Sequence, residues 1–195
     1  GTGQLSLAKY LFITADDENK ISTHHIESFL KYILERINLT RDLHFHTQTT
    51  IDTLDYSGES LNSGSKIVLA AYGKKIRELG TVIPDSIKNI PGLTDAKIIM
   101  PGVLAIQTGA YQNDIETIRE INNWNAYLLA SIPDLNPFPM IIWCDDASFT
   151  ADSLNNFLWV SFTRSNPAMD IHGIDVFTSH KHWGCNGPMI IDARI

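Results

Sequence analysis

The sequence predicts an α/β fold: duplicated strand–helix–strand units around a mainly parallel sheet. Two continuous apolar runs, KYLFIT at 9–14 and MIIWC at 140–144, are each followed by an aspartate pair, Asp16-Asp17 and Asp145-Asp146. Runs this short and this uniformly apolar suit strands covered on both faces, as parallel strands are. Each is followed by a segment of helical spacing and then by an Asp-x-His step, Asp42-Leu43-His44 and Asp170-Ile171-His172. Residues 29–44 align without a gap on 157–172. Phe29, Leu30, Arg36, Asn38, Asp42 and His44 find their own kind at Phe157, Leu158, Arg164, Asn166, Asp170 and His172.

Taken in order, the first helix has Ser22 or Thr23 as its N-cap and Ile26, Phe29, Leu30, Ile33, Leu34 and Ile37 on one stripe. Asn38 ends it in a left-handed conformation. Leu43-His44-Phe45 starts a strand, 52–65 is a polar loop of turn formers, and 66–71 is a further strand. The irregular stretch 73–95, with Gly73, Gly80, Pro84, Pro91 and Gly92, reads as a linker. This divides the chain into a first copy at 1–88, shortened on its N-terminal side, and a second at 89–195, and both chain ends read as cut. Strands follow at 97–100 and 103–107 around Pro101-Gly102. A helix at 114–129 is capped by Asn113, with Ile115, Ile118, Ile121 and Leu128 inward. Pro133, Pro137 and Pro139 exclude a helix through that stretch. The helix after MIIWC carries Leu154, Phe157, Leu158, Ser161 and Phe162 on one stripe and stops at Asn166-Pro167.

Composition narrows the function. Apolar residues make up 44% of 195, enough for a packed core. With 15 basic against 22 acidic residues and no Lys/Arg cluster, nucleic acid is excluded as a partner. No apolar run approaches the roughly 20 residues that span a bilayer, so no membrane span is expected. No leader with a cleavage site precedes the first element. Two cysteines, Cys144 and Cys185, are too few for a disulfide framework, which points to a reduced, cytoplasmic setting.

Several constellations bear chemistry. The aspartate pairs stand where parallel strands end, a place that suits ligands and equally suits turns whose carboxylates accept backbone N–H groups. Their recurrence favours the turn reading. His180, His182 and Cys185 form H-x-H-x-x-C, a candidate metal set that His172 or Asp175 could complete, although its spacing matches no standard zinc module. Cys185 with a histidine is also a candidate nucleophile pair, without a Gly-rich elbow beside it. His44 and His46 share one strand face. Gly64-Ser65-Lys66 lacks the frame of a phosphate loop.

KYLFITADDENKIS, LTRDLHF and the loop containing Leu54-Asp55 and Gly64-Ser65-Lys66 are similar to the C-terminal region of the UbiD family of decarboxylases. The second copy resembles the same region through Thr163-Arg164, Pro167-Ala168 and Asp170, with Pro188-Met189 in place of Ser-Lys; Ala70 stands where the family usually has Asp. The resemblance implies a parent carboxy-lyase acting on aromatic or α,β-unsaturated acids with prenylated FMN, a divalent metal (commonly Mn) and a monovalent cation. Its Glu-Arg-Glu set and metal ligands belong to upstream segments that have no match here. The chain is therefore expected to hold no catalytic residue and no tightly bound flavin, to pack on the upstream catalytic domain, and to help build a homo-oligomer. A self-contained metal-binding or hydrolytic α/β domain is the alternative.

The second-copy helix adds an interface expectation. Trp159 and Val160 fall outside its inner stripe, where the first copy has Lys31 and Tyr32. A helix apolar nearly all round needs more than one cover. The other copy, an upstream domain or a second chain is expected to contact Trp159 and Val160, while Lys31 stays in water.

Overall fold

The computed structural model describes residues 5–15, 21–58 and 60–195. Asp16-Asp17 lies outside them. The first region contains β1 (Tyr10–Thr14), α1 (Ile26–Leu34), β2 (Leu43–Thr50) and β3 (Ser63–Ala71). After α2 (Asp85–Lys88) come β4 (Asp95–Met100), β5 (Val103–Gln107), α3 (Asp114–Leu128), α4 (Ile132–Leu135) and β6 (Met140–Cys144). The remainder is α5 (Ala147–Asp152), α6 (Leu154–Thr163), α7 (Pro167–Asp170), β7 (Ile171–Gly173), β8 (Val176–Ser179), β9 (His182–Cys185) and β10 (Met189–Asp192).

The α/β class holds, but the sheets are mixed rather than mainly parallel. One has the order β1-β3-β2, with β3 parallel to β1 and antiparallel to β2. The second has the order β4-β5-β6-β10-β7; β5, β6 and β10 run parallel between two antiparallel edge strands. The reason is local: the Pro101-Gly102 turn joining β4 to β5 is too short for a parallel crossover. β8 and β9 form a separate hairpin where the sequence reads as a surface loop. Its turn holds His180 and Lys181 at φ 50° and 65°, which propensity does not announce.

The register of the two sheets is parallel in detail. β1 meets β3 at Tyr10–Ile67, and β6 meets β10 at Met140–Met189. β2 meets β3 at Leu43–Leu69 and His44–Val68; β7 meets β10 at Ile171–Ile191 and His172–Ile190.

Several local expectations are revised. α1 starts at Ile26 after His25, without a side-chain cap from Ser22 or Thr23. It ends at Leu34, before Asn38, and Asn38 does not adopt a positive φ. Instead the Asn38 N–H donates to Asp42 Oδ2 at 2.8 Å, closing a tight turn that makes a left-handed residue unnecessary. A one-turn helix, α4, does form, because Pro133 sits in its first turn, where its missing N–H costs nothing. α3 is capped as expected, Asn113 Oδ1 accepting the Glu116 N–H at 3.0 Å.

Two apolar clusters form the core. One joins Leu30, Ile33, Leu34, Ile67 and Leu69 to Val103, Met140, Ile142, Phe157 and Ile191, and so draws on both sides of the expected 88/89 boundary. The other fills the space between the five-stranded sheet and α3, with Trp124 on Trp143 at 4.7 Å between centroids. Burying these side chains supplies most of the folding free energy. Among the described residues, no helix is long and apolar enough to cross a membrane.

Candidate functional site

The largest cavity, about 1000 Å³, is a groove between the start of β1, α1, the 52–57 loop and α6. The sequence DTLDYS builds its lip from two Asx turns. Asp52 Oδ1 accepts the Leu54 N–H at 2.8 Å, and Asp55 Oδ1 accepts the Ser57 N–H at 3.0 Å. The second turn aims Asp55 inward at Lys9, with Nζ to Oδ2 at 3.0 Å. The Ser57 hydroxyl donates to Asp55 Oδ1 at 2.7 Å and accepts from Lys9 Nζ at 2.6 Å, completing a closed triad. Burial pulls the Lys9 ammonium below its ordinary range despite the attraction of Asp55. Burial opposes ionisation of Asp55, but the bonds from Ser57 and Lys9 outweigh it and hold the carboxyl below the usual range.

The groove walls are aromatic and aliphatic. Tyr10 and Phe12 pack on Phe162 at 4.8 and 5.7 Å between centroids. Arg164 stands at the rim, bound to Asp145 at 3.0 Å. Leu54 and Tyr56 point outward from the lip, 78% and 87% exposed. Among the described residues the lining holds no histidine or cysteine, so it offers no imidazole base or thiolate nucleophile. What it offers is an apolar cleft with a neutralised ion pair at one end, suited to taking up apolar side chains or an amphipathic body.

Behind the groove, motif residues from the two halves of the chain are joined by buried hydrogen bonds. The Tyr10 hydroxyl meets Ser165 Oγ at 2.6 Å, and Ser165 donates to the Ser161 carbonyl. Ser65 donates to Asn166 Oδ1 and accepts the Ala168 N–H at 2.7 Å. Asn166 N–H in turn donates to Asp170 Oδ2 at 2.5 Å, the counterpart of the Asn38–Asp42 bond. Burial raises the Asp170 carboxyl to about 6.

Asp145, Asp146 and Cys185 occupy architectural positions. Asp146 caps α5, accepting the Phe149 N–H at 2.8 Å, and Asp145 holds Arg164. His180 and His182 line a second cavity together with His44 and His46, whereas Cys185 is fully buried and contributes nothing to it. The separation follows from strand alternation, since His182 and Cys185 are three residues apart on β9. Burial pushes the Cys185 thiol up to about 12 and the Cys144 thiol up to about 11, which leaves both protonated and poor nucleophiles. Among the described residues, no three His, Cys, Asp or Glu side chains converge to hold a metal ion.

Trp159 is 51% exposed, its ring against Phe149 and under the Arg164 guanidinium. Within this chain the first region does not cover it. Val160, placed outside the inner stripe by the helical wheel, is instead buried in the chain's own core at 1%. The wheel assumed one covered face, but α6 packs both on the large sheet and, through Phe162, on β1, so its buried arc is wider. Lys31 is partly exposed and pairs with Glu27 at 2.6 Å. Sequence reasoning missed the Ser65–Asn166–Ala168 link; its one available signal was that Gly-Ser-Lys and Asn-Pro-Ala both belong to the family-like motifs.

Comparison with known proteins places these motifs. Residues 1–71 match the family model described as 3-octaprenyl-4-hydroxybenzoate carboxy-lyase C-terminal domain. The chain is 36% identical over 196 aligned residues to a Chlamydia pneumoniae protein named as a subunit of 4-hydroxybenzoate decarboxylase, covering 99% of this chain and 30% of that protein. It is 35% identical to an uncharacterized protein of Chlamydia trachomatis serovar D, over 99% of this chain and 31% of the relative. A Chlamydia muridarum relative is 33% identical over the same shares. The chain thus spans about a third of the length of these relatives.

Proposed function

We propose, from the match of residues 1–71 to the C-terminal domain model of 3-octaprenyl-4-hydroxybenzoate carboxy-lyases, that this chain is the structural and assembly region of a UbiD-like decarboxylase. The parent enzyme acts on aromatic or α,β-unsaturated acids, and its catalytic centre lies in segments upstream of these residues. The observation that carries this reading is the use to which the motif residues are put. Asp55, Ser65, Asn166 and Asp170 all bond to the chain's own groups and tie its segments together. A cofactor would supply the electron sink for decarboxylation, and prenylated FMN with a divalent metal is held by the upstream part.

The same reading makes the two regions copies of one α/β unit. The matching registers of β1-β3-β2 and β6-β10-β7, and the Asn38–Asp42 and Asn166–Asp170 bonds at an offset of 128, support it. The groove lip, with Leu54 and Tyr56, and the half-exposed Trp159 are the surfaces offered to the catalytic domain and to a second chain. The intact protein, supplied with prenylated flavin and manganese, is expected to release CO2 from an aromatic acid such as 4-hydroxybenzoate. The 195-residue chain alone is expected to release none and to leave flavin fluorescence unquenched. Turnover by the isolated chain would overturn the assignment.

A further inference from the structure

The second cavity, about 750 Å³, lies beside the unpaired edge of β2 and against the β8–β9 hairpin. Its polar lining is unlike the rest of the molecule. Four imidazoles, His44, His46, His180 and His182, and the Lys181 ammonium face it, and among the described residues no carboxylate does. In a chain with formal net charge −7 this is a local reversal of sign. The His44 and His182 rings are 5.9 Å apart between centroids, and His182 Nε2 is buried with no hydrogen-bond partner among the described residues. A buried ring nitrogen without a partner is costly unless something outside the chain satisfies it. The remaining wall is mainly apolar, with Phe45 and Trp183 meeting edge to face at 5.3 Å between centroids.

We propose that this cavity binds a small organic anion with a planar apolar body. The anionic group lies on the imidazoles and Lys181, and the body lies along Phe45 and Trp183. Lys181 supplies an ammonium, and each imidazole offers a ring N–H to the anion. Charged groups on the neighbouring elements leave this balance intact. Lys66 of β3 stands opposite His46 and adds to the positive side. Asp42, at the start of β2, is held by Arg41 and the Asn38 N–H. Asp170 is held by the Asn166 N–H, and Asp175, before β8, by Asn186. The inference is independent of the decarboxylase reading, because it rests on residues outside the groove.

The test uses the intact protein labelled with ¹⁵N-histidine, with benzoate and phenyl phosphate as probes. Either anion is expected to shift the imidazole resonances of His44, His46, His180 and His182 while leaving those of His24 and His25 in place. A response to benzoate alone marks a carboxylate site, and a response to phenyl phosphate as well marks a wider anion site; each supports the proposal. Both His46 and Lys181 are exposed, so His46→Gln with Lys181→Gln leaves the fold intact, and it is expected to weaken binding about tenfold. Imidazole resonances unmoved by both anions would overturn the proposal. So would equal affinity in the double variant, or a response to Zn²⁺ with none to either anion.

Discussion

Ser65 illustrates how much one hydroxyl can carry. It is fully buried and serves Asn166 Oδ1 and the Ala168 N–H at once. Removing it leaves a buried amide N–H and a buried amide oxygen without partners. Ser65→Ala is therefore expected to cost about 1–3 kcal/mol, measured as a shift in the urea midpoint with the slope unchanged. Ser57→Ala, at a part-buried bond, is expected to cost less. Asp170 gives a pH dependence of a defined sign. Its carboxyl is raised from 3.8 to about 6 by burial, so between those values the folded state holds a proton that the unfolded chain has lost. Above about pH 6 the buried charge weakens the fold, and lowering the pH toward 4 relieves it. Asp170→Asn keeps an acceptor for the Asn166 N–H and loses the charge. Its stability relative to the parent is expected to rise from pH 5 to pH 8 in urea titrations, and an unchanged difference would refute the assignment.

The elements differ in how openly the sequence declares them. MIIWC, 103–107 and the Asn113-capped helix were legible, because an apolar run, a Gly turn and a cap act within a few residues. The mixed pairing was not, because a strand's direction depends on its neighbour rather than its own residues. The β8–β9 hairpin was hidden for another reason. Its strands, VFTS and HWGC, show no apolar–polar alternation, and its turn uses His180 and Lys181 instead of Asn-Gly. Of the groove, the loop and its Asp55 were legible; Lys9 was not, since nothing local marks a lysine that will meet an aspartate 46 residues away. Two substitutions test the element scale. Gly102 turns the β4–β5 hairpin at φ +85°, and a Cβ there would stand 2.7 Å from the Leu79 side chain, so Gly102→Ala is expected to cost about 1–3 kcal/mol in thermal melts. Val160→Ala is expected to cost about 1–2 kcal/mol in the same assay, because two buried methyl groups are lost from α6.

At the scale of the molecule, Trp159 separates packing within the chain from association between chains. Half its surface is free here, so Trp159→Lys is expected to leave the melting temperature of the isolated chain almost unchanged. In the intact protein the same change is expected to shift sedimentation toward smaller species, since a desolvated aromatic anchor can dominate an interface. Unchanged sedimentation would remove Trp159 from the contact surface. The shared core predicts one cooperative transition, not two, for residues on either side of the 88/89 boundary, because Leu30 and Phe157 belong to the same cluster.

Each of the two larger sheets closes around a strand that follows its partners in the chain: β3 lies between β1 and β2, and β10 between β6 and β7. During synthesis on a ribosome, β6 and β7 therefore emerge before the strand that joins them exists. Until Met189–Asp192 leaves the exit tunnel, the apolar edge of β6 has β5 on one side and an open ladder on the other. The nascent chain passes through an interval in which holdase chaperones compete with misassociation. Chains arrested before β10 emerges are expected to be cut readily by protease within 140–185, and chains arrested after its release to resist. Equal resistance at both arrest points would mean that the earlier strands close the sheet without their central member.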